Sequence, residues 1–161
     1  MIRLAEISDL PFILKITNHT ILNSHAIYEE VIWDEKKAKD WYDSKIRNGF
    51  PVFVYELEGK ILGFSAYSNF RSRMGYRFTV EHSVYVLYSE NGKGVGSELL
   101  IHLMEHAKKE GFKQMIGVID AANYRSIEFH KKHGFIEAGV LKKIGNRFGE
   151  WLSVAFLQKE L

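Results

Sequence analysis

The segment Asn91-Gly92-Lys93-Gly94-Val95-Gly96-Ser97 gathers three of the chain's 13 glycines within residues 92–96. Glycines let a backbone approach a ligand closely and turn its N–H groups inward. A β-branched run precedes the segment and an amphipathic stretch follows, so it joins a strand to a helix. The first turn of such a helix has unsatisfied N–H donors and a partial positive charge. Together these features make an anion site, most naturally for phosphate. The spacing is not that of a nucleotide P-loop, which ends in Gly-Lys-Ser/Thr after four spacer residues. Nor is it the dinucleotide fingerprint Gly-x-Gly-x-x-Gly: the third glycine comes one residue early, and the loop follows the fourth strand instead of the first. The alternative is a plain turn, but a turn does not require three glycines spaced by two.

A second chemical feature is Glu81, a carboxylate inside the β-branched and aromatic run Arg77 to Leu87. By strand alternation it shares a face with Thr79, Ser83 and Tyr85, opposite Val80, His82, Val84 and Val86. Half-burial raises a carboxylate's pKa, which suits a general base. The competing reading is a surface glutamate paired with a nearby arginine. His102 and His106 have the i, i+4 spacing of metal ligands, but a helical wheel puts both off the apolar face and no third ligand accompanies them. They are expected to face solvent, with no metal bound, and His82 to pack on the sheet's far face. No Gly-x-Ser-x-Gly elbow is present.

The elements that position these residues can be read from periodicity. Ile2 to Ala5 forms a first strand. Ser8 or Asp9 caps a helix with Pro11 in its first turn, running to about Leu22. Asp34 caps a second helix to about Arg47, stopped by Asn48-Gly49. Strands at Val52 to Leu57 and Lys60 to Tyr67 flank the hairpin signal Glu58-Gly59. The fourth strand is Arg77 to Leu87. A helix from about Gly94 to Glu110 follows, then a fifth strand from Lys113 to Ile119 and a helix from Asn123 to His133. Phe135 to Ile144 and Glu150 to Leu157 close the chain as a hairpin around Gly145 to Gly149. The order β-α-α-β-β-β-α-β-α-β-β implies an α/β fold with a mixed sheet, and the crossover makes strands four and five parallel or splayed neighbours.

The chain has 161 residues, which predicts one domain. It has no cysteine, so disulfides, thiolate zinc sites, iron–sulfur clusters and cysteine nucleophiles are excluded. Lys plus Arg is 22 against 20 Asp plus Glu, a balance too even for a dedicated nucleic-acid binder. Met1 to Glu6 lacks the plan of a signal peptide, and no apolar run is long enough to span a membrane. The expected location is the cytoplasm, with no membrane or nucleic-acid partner.

The glycine loop, placed after the fourth strand of this element order, resembles the Gln/Arg-x-x-Gly-x-Gly/Ala loop of the GCN5-related N-acetyltransferases (GNAT), with Asn91 in place of Gln or Arg. Asn123 to Phe135 resembles that family's Asn-x-x-Ala/Ser…Tyr-Glu-Lys-x-Gly-Phe stretch. The resemblance implies the GNAT fold, a single domain over residues 1–161 with about seven strands, splayed between the fourth and fifth, and about four helices. It implies that acetyl-coenzyme A is the cosubstrate, with its pyrophosphate on Asn91 to Ser97 and its pantetheine arm near Asn123 and Ser126. It further implies Glu81 as base and a backbone N–H among Val84, Tyr85 and Val86 as oxyanion donor. His130 stands where many relatives carry an acidic tyrosine; it would donate a proton to sulfur or assist the base, or else be a helix-face histidine with no catalytic part.

Arg71 to Val86, Ile16 to His19 and Phe148 to Gln158 resemble, more narrowly, the phosphinothricin and methionine sulfoximine acetyltransferases. This likeness implies a small amine acceptor, acetylated on its α-amino group. Arg71, Arg73, Met74, Gly75 and Tyr76 would line the pocket, with Tyr28 as a further lining residue. Arginines suit an acceptor that carries two anionic or strongly polar ends. The alternative for them is a solvated basic loop. Two other functions remain open: acetylation of a peptide or protein N-terminus, and a coenzyme-A-binding regulatory module without turnover. The likeness also implies a homodimer, for which Phe148, Trp151 and Phe156 offer an interface unless they are core. With no cysteine to carry the acetyl group, transfer should be direct.

Overall fold

Alternating apolar strands and amphipathic helices assemble in the expected order. The structure, a computed structural model, describes residues 1–161. Its strands are β1 (Ile2–Leu4), β2 (Val52–Leu57), β3 (Lys60–Asn69), β4 (Thr79–Val86), β5 (Gln114–Asp120), β6 (Ile136–Arg147) and β7 (Glu150–Glu160). Its helices are α1 (Leu10–Asn23), α2 (Glu35–Arg47), α3 (Val95–Lys109) and α4 (Tyr124–Lys132). No helix is long and apolar enough to cross a membrane.

The seven strands form one sheet in the order β1-β2-β3-β4-β5-β7-β6. Every pairing is antiparallel except that of β4 with β5. Leu10, Ile13 and Ile16 of α1 pack on one face of β2 and β3, with Trp41 and Tyr42 of α2 beside them. Leu100, Leu103 and Ala107 of α3 and Ile127 of α4 pack on the other face, against Phe53, Tyr67, Val80 and Met115. Burial of each such side chain stabilises the fold by roughly 1.5–3 kcal/mol.

β4 and β5 pair only at Thr79–Gln114, Val80–Met115 and Glu81–Ile116. Beyond that rung β4 follows β3 as far as Val86, while β5 follows β7 as far as Asp120. The two strands therefore part. The N–H of Leu87 donates to Leu62 O on β3. By alternation Val84 and Val86 turn their backbone groups the other way, into the opening.

The loop between α1 and α2 is held over the C-terminal end of the sheet. The buried Arg147 donates from Nε to Glu29 O at 2.9 Å, and from its two terminal nitrogens to Ser24 O and Ile21 O. Asn18 brackets Trp33, accepting from its N–H and donating to its carbonyl. The buried Asp120 carboxylate faces His25 Nδ1 at 3.3 Å.

Several expectations need correction. Asp34 caps α2 by accepting from Lys37 N, whereas Asp9 holds the N-cap position of α1 without a side-chain capping bond: its carboxylate accepts from Arg3 and from Glu6 N. The closing hairpin turns at Phe148-Gly149 alone, both with positive φ (49° and 82°), and the irregularity between Leu141 and Gly145 is a bulge inside the ladder. His102 and His106 do not face solvent as a pair. Their rings pack on Phe53 at 4.6 and 5.1 Å, and His106 Nδ1 shares a 2.9 Å hydrogen bond with Tyr67 Oη. Phe148 and Trp151 are 69% and 62% exposed, so they are not core.

Candidate active site

The glycine segment forms the start of α3. Gly92 and Gly94 have φ of +81° and +94°, conformations that side chains resist, and Gly94 is the N-cap. No side chain caps this helix, so its first N–H groups remain free. The first turn of α4 faces the same loop. Its N-cap Asn123 accepts from Ser126 N at 3.1 Å. Arg125 Nη2 stands 3.5 Å from where a Cβ on Gly92 would be. Lys93 pairs with Glu90 at 3.3 Å. Free amides, a helix N-terminus and an arginine thus converge on one loop.

Glu81 occupies the last rung before β4 and β5 part, half-buried on the face that carries α1 and α2. Burial raises its carboxyl above the ordinary range, and the charges of Arg71 and Lys45 oppose that rise. Ser83 and Tyr85 follow on the same face. The Tyr85 ring lies 5.3 Å from that of Phe64, and burial pushes its phenol up to about 12.

His82 points to the opposite face. It is 8% exposed and His130 of α4 is 6% exposed; their rings lie 5.0 Å apart, with Phe135 against both. Gly117 makes room for them: a Cβ there would stand 3.1 Å from His82 Nε2. His130 Nδ1 lies 2.6 Å from Ser126 O, so that nitrogen carries the proton and Nε2 keeps its lone pair. Nε2 of His130 and both ring nitrogens of His82 are buried without a protein partner. Burial pushes His82 down to about 3 and lowers His130, so both are neutral at pH 7.

The expected pocket residues stand on two segments. Arg71, Arg73, Met74, Gly75 and Tyr76 are exposed in the connection leading into the N-terminal end of β4, and Arg71 is the one whose charge reaches Glu81. Tyr28 lies at the other end of the parallel pair, its ring on Gly145 and its Oη 3.4 Å from Ser153 O.

The Acetyltransferase (GNAT) family model matches residues 18–135. The chain belongs to the GNAT acetyltransferase family. It is an N-acetyltransferase, and its seven-stranded sheet with a parallel β4–β5 pair is the GNAT fold. It is 39% identical to the L-methionine sulfoximine/L-methionine sulfone acetyltransferase of Pseudomonas aeruginosa, over 99% of this chain and 94% of that one. Among solved structures it is similar to a ribosomal-protein-alanine N-acetyltransferase from Brucella melitensis, with TM-score 0.98 and 40% identity over 100% and 99% of the two chains. It is also similar to a GNAT phosphinothricin acetyltransferase from Sinorhizobium meliloti in complex with AcCoA, with TM-score 0.95 and 37% identity over 100% and 88%.

Two side chains beside this acetyltransferase's candidate site gave no signal in the sequence. Lys45, in the last turn of α2, reads as a partner for the helix dipole. Arg125 reads as one more surface arginine. Their meaning lies in what the fold sets them against.

The raised Glu81 pKa has a consequence for stability. A carboxyl with a raised folded-state pKa favours folding while protonated, and that contribution is lost as pH rises through the raised value. Glu81→Gln should therefore melt a few degrees above wild type at pH 7, and the gap should close as pH falls toward 4. Thermal melts across that range check both sign and trend.

Proposed function

We propose that this N-acetyltransferase moves the acetyl group of acetyl-coenzyme A directly to the α-amine of a small amino-acid analogue of the methionine sulfoximine or phosphinothricin type. The observation that carries the reading is Glu81: a half-buried carboxylate at the last β4–β5 rung, next to backbone freed by the parting of the strands. The relatives' activities support the acceptor class, and the acetyl-coenzyme A bound in the Sinorhizobium relative supports the cosubstrate.

The residues present suit that cosubstrate. Gly92, Gly94, Val95, Gly96 and Ser97 would receive the pyrophosphate on free amides, with Asn91 at the entry, Lys93 in the loop with its own N–H held by Glu90 O, and Arg125 adding positive charge. Asn123 and Ser126 would flank the pantetheine arm. An N–H of Val84 or Val86, turned into the opening, would donate to the thioester oxygen as charge develops there.

The nucleophile must be a neutral amine. An α-amine with pKa about 8 costs about 1.4 kcal/mol to deprotonate at pH 7, against about 4.6 for a lysine side chain at about 10.4. A single carboxylate base is adequate for the first. Glu81 takes the proton, directly or through one water, as the C–N bond forms. The C–S bond then breaks, and the leaving thiolate needs little help because a thiol pKa is about 8.5. His130, neutral with a lone pair on Nε2, suits the acceptance of a proton better than its donation to sulfur. With no cysteine in the chain, the acetyl group passes in a ternary complex.

The Brucella neighbour favours a second reading, in which the acceptor amine is a protein N-terminus. One assay separates the two. Coenzyme A thiol release should be measured with methionine sulfoximine, methionine sulfone, phosphinothricin and an alanine-initiated peptide. Turnover on the small acceptors, lowered about 10²-fold by Glu81→Gln with loss of the acidic limb of the pH–rate profile, is expected. Turnover on the peptide alone selects the second reading, and turnover on none of the four defeats both.

The exposed Phe148 and Trp151, with Ile144 of β6 on the Trp151 face, are apolar side chains of the kind that pairs with another protein. We propose a homodimer through this hairpin. Light scattering should give twice the chain mass, and Trp151→Lys should reduce it; a monomeric wild type contradicts the proposal.

A further inference from the structure

We propose that Lys45 binds the α-carboxylate of the acceptor, so that Glu81 and Lys45 together recognise a zwitterionic amino acid. The inference rests on the reading above, in which the acceptor is an α-amino acid.

Lys45 leaves the last turn of α2 and lies half-buried over the sheet face that carries Glu81. Its Nζ is 5.9 Å from the centre of the Trp41 ring and donates to Tyr67 O at 3.2 Å. An ammonium has three donors. One is used, and the others meet no carboxylate within ion-pair distance, since Lys45 takes part in none of the chain's ion pairs. The neighbouring lysines of the same helix, Lys36, Lys37 and Lys39, are each paired with an Asp or Glu.

Register puts this unpaired cation on the strand next to the base, over the same face. Tyr67 pairs with His82 and Ser68 with Glu81, so the residue that Lys45 holds is one rung along β3 from Glu81, its carbonyl turned to the β2 side of that strand. Glu81 is likewise without an ion-pair or hydrogen-bond partner, although the charges of Arg71 and Lys45 both reach it. Burial lowers Lys45 to about 8 against the opposing charge of Glu81, which leaves it mostly charged at pH 7 and without an anion in ion-pair contact.

An α-amino acid supplies the complement. Its ammonium and carboxylate share one carbon, two bonds apart, and the site presents a carboxylate and an ammonium on one face. The amine must meet Glu81 to be deprotonated, and the carboxylate then falls toward Lys45. Arg71, exposed and stacked on Phe70 at 4.9 Å, is left for the acceptor's distal polar end. A simple amine would leave Lys45 unpaired in the closed complex, which explains selection for amino acids without any added contact to the side chain.

The test compares methionine sulfone with its decarboxylated counterpart, 3-(methylsulfonyl)propan-1-amine, using wild type, Lys45→Met and Lys45→Arg. Wild type should prefer the amino acid. Lys45→Met should raise KM for methionine sulfone about 10- to 100-fold with kcat little changed, and leave KM for the amine unaltered. Lys45→Arg should restore most of the preference. Acetyl-coenzyme A affinity should be unchanged in both; if Lys45→Met loses it, Lys45→Gln, which keeps a donor for Tyr67 O, carries the same comparison. An undiminished preference in the neutral variant, or an equal loss with both acceptors, overturns the assignment of Lys45. A wild type that acetylates neither compound defeats the underlying functional reading instead.

Discussion

β4 and β5 hold together for three rungs and then separate, and the rest of the site depends on that separation. A parallel pair normally satisfies both strands along its length. Here β3 and β7 hold the outer sides of the two strands, so the sheet survives while the inner side of β4 is left unpaired beyond Glu81. The freed backbone lies between the glycine-loop start of α3 and the first turn of α4. A long, thin, partly peptide-like molecule with a phosphorylated end would meet amides along the strand and a positive helix end at the top.

The two faces of β4 divide the remaining work. Alternation sends Glu81 toward α1 and α2 and its neighbour His82 toward α3 and α4. On the first face burial raises a carboxyl, with Arg71 and Lys45 near enough to keep it ionisable. On the second, burial holds two imidazoles neutral in the space that Gly117 leaves. Unpaired polar groups on opposite faces of two adjacent rungs cost stability, and a fold keeps such groups where they meet a substrate or a buried water.

Much of this was legible in the sequence, for identifiable reasons. The Glu58-Gly59 turn was readable because both residues take the positive φ that a two-residue hairpin demands (50° and 73°). The turn of the second hairpin was read too wide, as Gly145 to Gly149, because the chain turns at its last two residues through Phe148, a residue that rarely accepts positive φ. His102 and His106 were misread because a helical wheel knows its own helix only, and the ring of Phe53 reaches them from β2. The insertion of β7 between β5 and β6 is a tertiary choice with no local signature. Glu81 and the glycine loop could be found because their types contradict their surroundings. Lys45 and Arg125 could not, since each is an ordinary residue for its helix until the fold gives it a neighbour.

The most direct test of this account is amide hydrogen exchange with and without acetyl-coenzyme A. If the cosubstrate fills the parting of the sheet, exchange at Val84 and Val86 should slow at least about 10-fold together with Gly94 to Ser97, while Tyr85, already turned toward β3, changes little. Protection confined to the glycine loop, with Val84 and Val86 unaffected, would contradict the central role of the β4–β5 separation.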